Sequence, residues 1–139
     1  MKKDNHLEIG IRFLEENRDK DGVITLASGL QYKVLKNINK EGQNPKITNS
    51  VLCHYEGRLI DGTVFDSSYK RGKALKFSLL EVISGWTIAL QMMKEGDKWE
   101  IYLPSEFAYG RLGAGKDIAP NSALIFIIEL IKINNNPNK

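Results

Sequence analysis

Apolar and polar positions along this chain follow two periods, first a helical one and then, for most of its length, an alternation in twos. Leu7, Ile11 and Leu14 recur at helical spacing with Glu8, Arg12 and Glu15 between them, which predicts a short amphipathic helix over 7–17. Three turns are marginal alone, so this helix must dock or fray. Lys20-Asp21-Gly22 ends it. Beyond Val23 the pattern is that of strands. Val23–Leu26 and Leu30–Val34 flank the turn Ala27-Ser28-Gly29, with Leu30, Tyr32 and Val34 facing one way and Gln31 and Lys33 the other. After a loop over Asn39–Asn49, Val51, Cys53 and Tyr55 alternate with Leu52, His54 and Glu56. Asp61-Gly62 supplies the backbone freedom for a hairpin between Leu59 and Val64. One helix interrupts the strands: Trp86, Ala89, Leu90 and Met93 share a face, Ser84 is placed to cap its start, and Gly96 suits the position past its end. Trp99, Ile101 and Leu103 then alternate until Pro104, and Ala123–Ile133 is a long apolar strand.

The pattern predicts an α+β domain, an antiparallel β-sheet wrapped around one short α-helix, with a short N-terminal helix. Its expected division is a helical extension over 1–22, a domain over 23–133 and a disordered tail over 134–139. A chain of 139 residues fits one such domain.

Composition narrows the function by exclusion. The net charge is +3, with no long block or stripe of one sign, so nucleic acid is not an expected partner. The single cysteine, Cys53, permits no intrachain disulfide. The basic start lacks an apolar run of signal-peptide length, and nothing approaches a membrane span. A cytoplasmic protein is expected, or a periplasmic or secreted one if an export leader has been removed.

Three tempting motifs fail on chemistry. Gly110-Arg-Leu-Gly-Ala-Gly-Lys116 fits the first seven positions of a phosphate-binding loop, but Asp117 replaces the magnesium-binding hydroxyl and Pro120 with a strand follows instead of a helix. Ser67-Ser-Tyr-Lys70 has a nucleophile–base spacing without its companion motifs and is expected to be a turn. Cys53 and His54 are strand neighbours pointing to opposite faces, and with His6 and His54 far apart no metal-ligand spacing exists. What remains is a set of aromatics beside loops, Tyr55, Phe65 and Tyr109, together with Phe77, Trp86 and Phe126 on regular elements.

Five segments in order carry a family signature: Val51-Leu-Cys-His-Tyr-Glu-Gly57, Asp61-Gly-Thr-Val-Phe-Asp-Ser-Ser68, Val82-Ile-Ser-Gly-Trp86, Leu103-Pro-Ser-Glu-Phe-Ala-Tyr-Gly110 and Ile118-Ala-Pro-Asn-Ser-Ala-Leu-Ile-Phe126. Over 23–133 the chain resembles the FKBP-type peptidyl-prolyl cis-trans isomerases. Leu26-Ala-Ser-Gly-Leu-Gln-Tyr32 and Trp99-Glu-Ile-Tyr-Leu-Pro104 are most similar to the bacterial members related to macrophage infectivity potentiators. Those relatives often carry a helical dimerisation region upstream of the helix that Phe13–Asn17 resembles, and without it a monomer is expected.

The resemblance implies rotation about X-Pro bonds without a cofactor, acting on proline-containing polypeptides and inhibited by macrolides. It assigns Asp66, Tyr109, Phe65 and Tyr55 to catalysis. It assigns Trp86 as the floor, with Ile83, Val82, Phe77, Ile118, Phe126 and Arg71 completing substrate binding. The Ile83 N–H and the Tyr109 hydroxyl would bond substrate carbonyls, and Asp66, held by neighbours that include Tyr55 and Arg71, would sit beside the bond that rotates. Ala119, Leu75 and Phe107 depart from common family residues at the pocket border, which bears on sequence preference. The alternative from another class is a proline-peptide-binding module or holdase chaperone with little turnover.

Overall fold

The computed structural model describes residues 5–38 and 41–134. Seven strands form one antiparallel sheet in the order β1 (Val23–Thr25), β2 (Gln31–Lys36), β6 (Lys98–Leu103), β7 (Leu124–Asn134), β3 (Ser50–Leu59) and β4 (Val64–Ser67), while β5 (Leu75–Ser78) also pairs with β3. This is the predicted architecture. The long central strands set it: β3 and β7 pair from Ser50↔Asn134 to Leu59↔Leu124. The alternation read from the sequence holds, with Val51, Cys53 and Tyr55 buried beneath the sheet alongside Leu124, Phe126, Ile128 and Leu130. The last strand runs one residue further than predicted, so Asn134 belongs to β7, and the rest of the expected tail lies outside the described residues.

Helix α3 (Ser84–Leu90) packs into this face and buries Gly85, Trp86, Ala89 and Leu90. Two details differ from expectation. Ile83, not Ser84, is the N-cap and supplies no side-chain bond; Ser84 is already the first helical residue. The helix also stops at Leu90, so Met93 is buried from a following turn, and Gly96 takes its positive φ of 93° in the turn entering β6. Gly85 is required by proximity, because a Cβ there would stand 2.6 Å from Leu103 Cδ2.

On the opposite face lies α1 (His6–Asn17), capped by the Asn5 side chain. Its docking face overlaps the predicted apolar stripe only in part: Leu14 is half-buried and shares with Gly10 the seam against Pro104 and Ala123. Leu7 and Ile11 are exposed, and the helix buries Gly10 and Asn17. Gly10 lets the helix approach Ala123, whose Cβ would lie 3.0 Å from an added methyl. Asn17 Nδ2 donates to Gln31 Oε1 at 2.8 Å, and Gln31 Nε2 donates to the Leu14 carbonyl at 2.8 Å. Gln31, on the face opposite Leu30 as predicted, is thus buried between strand and helix with its amide satisfied. Phe13 rests against Tyr102 with ring centroids 6.4 Å apart.

Between β4 and β5 stands α2 (Ser68–Arg71), a four-residue helix where a plain turn was predicted; Ser67 caps it by accepting from Lys70 N, and Gly72 closes it in the left-handed region at φ 73°. The glycine-rich 110–116 segment is a turn with three positive-φ glycines, closed by an Ala114↔Ile118 bridge. It opens no helix, in keeping with rejection of a phosphate-binding loop. Among the described residues no helix is long and apolar enough to cross a membrane.

Candidate active site

One open hollow of about 310 Å³ gathers side chains from most elements of the sheet. Tyr55 comes from β3, Phe65 and Asp66 from β4, Phe77 from β5, Glu81, Val82 and Ile83 from the turn before α3, and Trp86 from α3 itself. Tyr109, after a 3-10 turn at Ser105–Phe107, and Phe126 on β7 complete it. Two other hollows are of comparable size. One of about 310 Å³ lies between α1 and the 116–123 segment, and one of about 380 Å³ lies beside Lys76 and Lys132. Volume does not distinguish the three; only the first is walled by aromatic rings.

Those rings are locked edge to face. Trp86 is 4% exposed and meets Tyr55, Phe77 and Phe126 at centroid distances of 5.3, 5.1 and 5.5 Å, with interplanar angles of 74°, 68° and 88°. Phe65 meets Phe126 at 5.8 Å and 88°. Such geometry suits the ring quadrupoles and leaves rigid walls. Gly57 makes room for the last pair: a Cβ there would lie 2.6 Å from Phe65 Cζ and 2.8 Å from Phe126 Cε1. We predict that Gly57→Ala costs about 1–3 kcal/mol by overpacking, read by denaturant unfolding, and that half-buried Phe65 is the ring that yields.

The one strongly polar corner is the group Tyr55–Asp66–Arg71. The Tyr55 hydroxyl donates to Asp66 Oδ2 at 2.5 Å, Arg71 Nη1 pairs with Asp66 Oδ1, and Arg71 Nη2 donates to the Tyr55 hydroxyl at 3.0 Å. Burial pushes the Asp66 carboxyl up, but the bonds from Tyr55 and Arg71 outweigh it and hold the group below its ordinary 3.8. Tyr55 is held above its usual range by burial and by its bond to Asp66, and Tyr109 by burial with the Asp66 charge as a lesser cause. A carboxyl depressed in the folded state adds stability above its unfolded value and loses it as pH falls through the folded value. The Arg71–Asp66 contact should therefore be intact at neutral pH and dissolve only in acid stronger than the ordinary carboxylate range, visible as a change in the Arg71 side-chain NMR signals on acid titration.

Nine of the eleven residues assigned from sequence line this hollow. Arg71 stands behind the wall, reaching the site through Asp66 and Tyr55. Ile118 is 5% exposed in the hydrophobic core and is not a lining residue. Glu81 lines the hollow and was not anticipated; an exposed acid in a turn carries no periodic signal. Leu75 and Phe107 pack against the core next to the site, while Ala119 lines the hollow beneath α1 instead.

Comparison with known proteins adds an independent line. Residues 41–131 match the family model described as FKBP-type peptidyl-prolyl cis-trans isomerase, and residues 1–34 match the model of the domain amino-terminal to it. A protein of Coxiella burnetii named peptidyl-prolyl cis-trans isomerase Mip is 55% identical over 121 residues, covering 87% of this chain and 52% of that protein. The outer membrane protein MIP of Legionella longbeachae is 46% identical over 124 residues, covering 89% of this chain and 52% of that protein. This chain thus spans about half the length of those relatives. A crystal structure of a peptidyl-prolyl cis-trans isomerase from Pseudomonas syringae superposes with a TM-score of 0.86 at 38% identity, covering 96% of this chain and all of that one.

Proposed function

The chain belongs to the FKBP-type peptidyl-prolyl cis-trans isomerases, in the subgroup related to Mip, and from that membership we propose that its aromatic hollow accelerates rotation about X-Pro bonds in polypeptides. The observation that carries this reading is the convergence of six aromatic rings with one fixed carboxylate at a single hollow.

The physical problem is a rotation barrier of ~18–20 kcal/mol set by amide resonance. Uncatalysed X-Pro bonds exchange over tens to hundreds of seconds, so millisecond turnover needs a factor of ~10⁵. That factor corresponds to about 7 kcal/mol. No covalent bond to the protein has to form. Planar imide resonance places negative charge on oxygen and is supported by water. An apolar wall of Trp86, Phe77, Phe126 and Phe65 withdraws that support, and the prolyl ring seats against Trp86. The twisted imide, with its altered carbonyl direction, is then held by fixed polar groups. The Tyr109 hydroxyl and the Ile83 N–H are the donors we assign, since both residues line the hollow and Ile83, as N-cap with φ −60° and ψ 151°, keeps its N–H outside the helical ladder. Asp66, fixed by Tyr55 and Arg71, places a carboxylate beside the rotating bond without needing to transfer a proton. Selective bonding of the twisted state, not of the ground state, is what raises turnover.

Tyr109→Phe removes one donor and leaves the ring. We predict a loss of turnover of about tenfold with little change in unfolding midpoint, because Tyr109 is 37% exposed and contributes little to the core. A macrolide that fills the same hollow should compete with peptide. The substrate class is proline-containing polypeptide, strongest with an apolar residue before proline.

We infer that the isomerase domain begins after Gly22, a reading supported by the positive φ of 80° at this residue just before β1. We further propose that the chain acts as a monomer. For location we favour export over the cytoplasm, guided by the Legionella longbeachae relative named an outer membrane protein. The decisive test of function is exchange NMR on a short X-Pro peptide, where binding without faster interconversion would turn the reading to a binding module or holdase.

A further inference from the structure

Strand β3 has an irregular edge, and the irregularity lies under the polar corner of the hollow. On that edge β5 pairs with β3 over Ser50–Cys53, and β4 pairs with it over Glu56–Arg58. His54 and Tyr55 fall in the gap between them. There the Ser68 hydroxyl takes the place of a strand: Tyr55 N–H donates to Ser68 Oγ at 2.7 Å, and Ser68 Oγ donates toward the Tyr55 carbonyl at 3.2 Å. His54 Nδ1 is the third partner of the same oxygen, at 2.8 Å. Ser68 is wholly buried, so this hydroxyl has no water to fall back on.

The position of Ser68 in the chain gives the contact its consequence. Asp66 lies two residues before it on β4, and Arg71 closes the four-residue helix that Ser68 begins. Tyr55 stands on the strand to which Ser68 is pinned. One hydroxyl therefore fixes the separation between Tyr55 and the segment bearing both Asp66 and Arg71. The hydroxyl has one proton and three neighbours. With Nδ1 protonated, His54 donates to Oγ and the hydroxyl proton goes to the Tyr55 carbonyl; with Nδ1 bare, the hydroxyl donates to His54 and the carbonyl bond is given up. The ring that makes this choice is itself held, stacked on Tyr69 at 4.6 Å and 15°, while the Tyr69 hydroxyl donates to Glu129 Oε1 at 2.7 Å.

We propose that His54 and Ser68 are positioning residues for the Tyr55–Asp66–Arg71 group, acting through the gap in the β3 edge and not through contact with substrate. The proposal rests on the isomerase reading for its effect on turnover, but its effect on geometry is independent of that reading. Ser68→Ala would also leave buried Tyr55 backbone groups unpaired, so the sharper test uses His54, which is only partly buried. His54→Leu removes the nitrogen, whereas His54→Asn retains a polar atom at the δ position.

The measurement is kcat and KM on an X-Pro peptide together with Tm and the Arg71 guanidinium NMR signals, for wild type and both variants. We expect His54→Leu to lower kcat about fivefold with KM unchanged, since small displacements of fixed groups act on the chemical step. Its Tm should stay within about 4 °C of wild type. His54→Asn should restore kcat to within about twofold, and the Arg71 signals should shift in the first variant and return in the second. Unchanged kcat in His54→Leu, or a loss that Asn does not restore, overturns the proposal. If wild type shows no turnover, the isomerase reading falls instead; the Arg71 signals then decide positioning alone, shifted and restored in support, unmoved against.

Discussion

Trp86→Ala is expected to destabilise the protein by about 3–5 kcal/mol and to lower turnover by at least ~100-fold. The stability loss follows from burial, since the indole is 4% exposed and touches three other rings edge to face. Removing it opens a cavity that its neighbours cannot close, because Tyr55 is tied to Asp66 and Phe126 is fixed in the β7 ladder. Against a typical total of ~5–15 kcal/mol the variant should remain folded at room temperature but unfold at clearly lower denaturant. The catalytic loss follows from the same removal, as the prolyl ring has no floor. Trp86→Phe separates the two: it should recover much of the stability and only part of the turnover. Denaturant titration and peptide exchange on the same samples check both.

Phe65→Ala is expected to divide the two effects the other way. Phe65 is half-buried, its one ring partner among the described residues is Phe126, and it packs at the margin of the core. Truncation should cost about 1–2 kcal/mol, below the range for fully buried phenylalanine. Turnover should fall by at least ~10-fold, because the wall that keeps water from the imide is gone. A variant with native stability and undiminished exchange would show that substrate does not lie against this wall.

The contrast between these residues was only partly legible in the sequence. Alternation along β3 and β7 fixed which side chains go inside, because long central strands pair on both edges and obey the period of two. The α1 face was legible in outline, through Leu7 and Leu14, but its closest contacts were not, for a physical reason. Its docking is built from a glycine that permits close approach and from an Asn17–Gln31 amide pair, and neither adds to an apolar stripe. Helix α2 is too short to show a period, although Ser67 before it and Gly72 after it are cap signals that were readable. The meeting of Tyr55, Phe65, Trp86 and Phe126 was legible only through family resemblance, since their spacing along the chain says nothing of distance in space. Arg71 was named both with the pocket residues and as a group holding Asp66; it contacts Asp66 and does not line the hollow. Ser68 read as a turn serine, and its bonds to both backbone groups of Tyr55 come from a gap in strand pairing that no local pattern records.

Turnover itself is tested most directly by two-dimensional exchange NMR on a short peptide with an apolar residue before proline, with substoichiometric protein. Cis and trans signals that are static alone should exchange within the mixing time once protein is present, and a macrolide ligand should abolish that exchange. Peptide signals that broaden or shift through binding while cis and trans remain uncoupled would contradict the account.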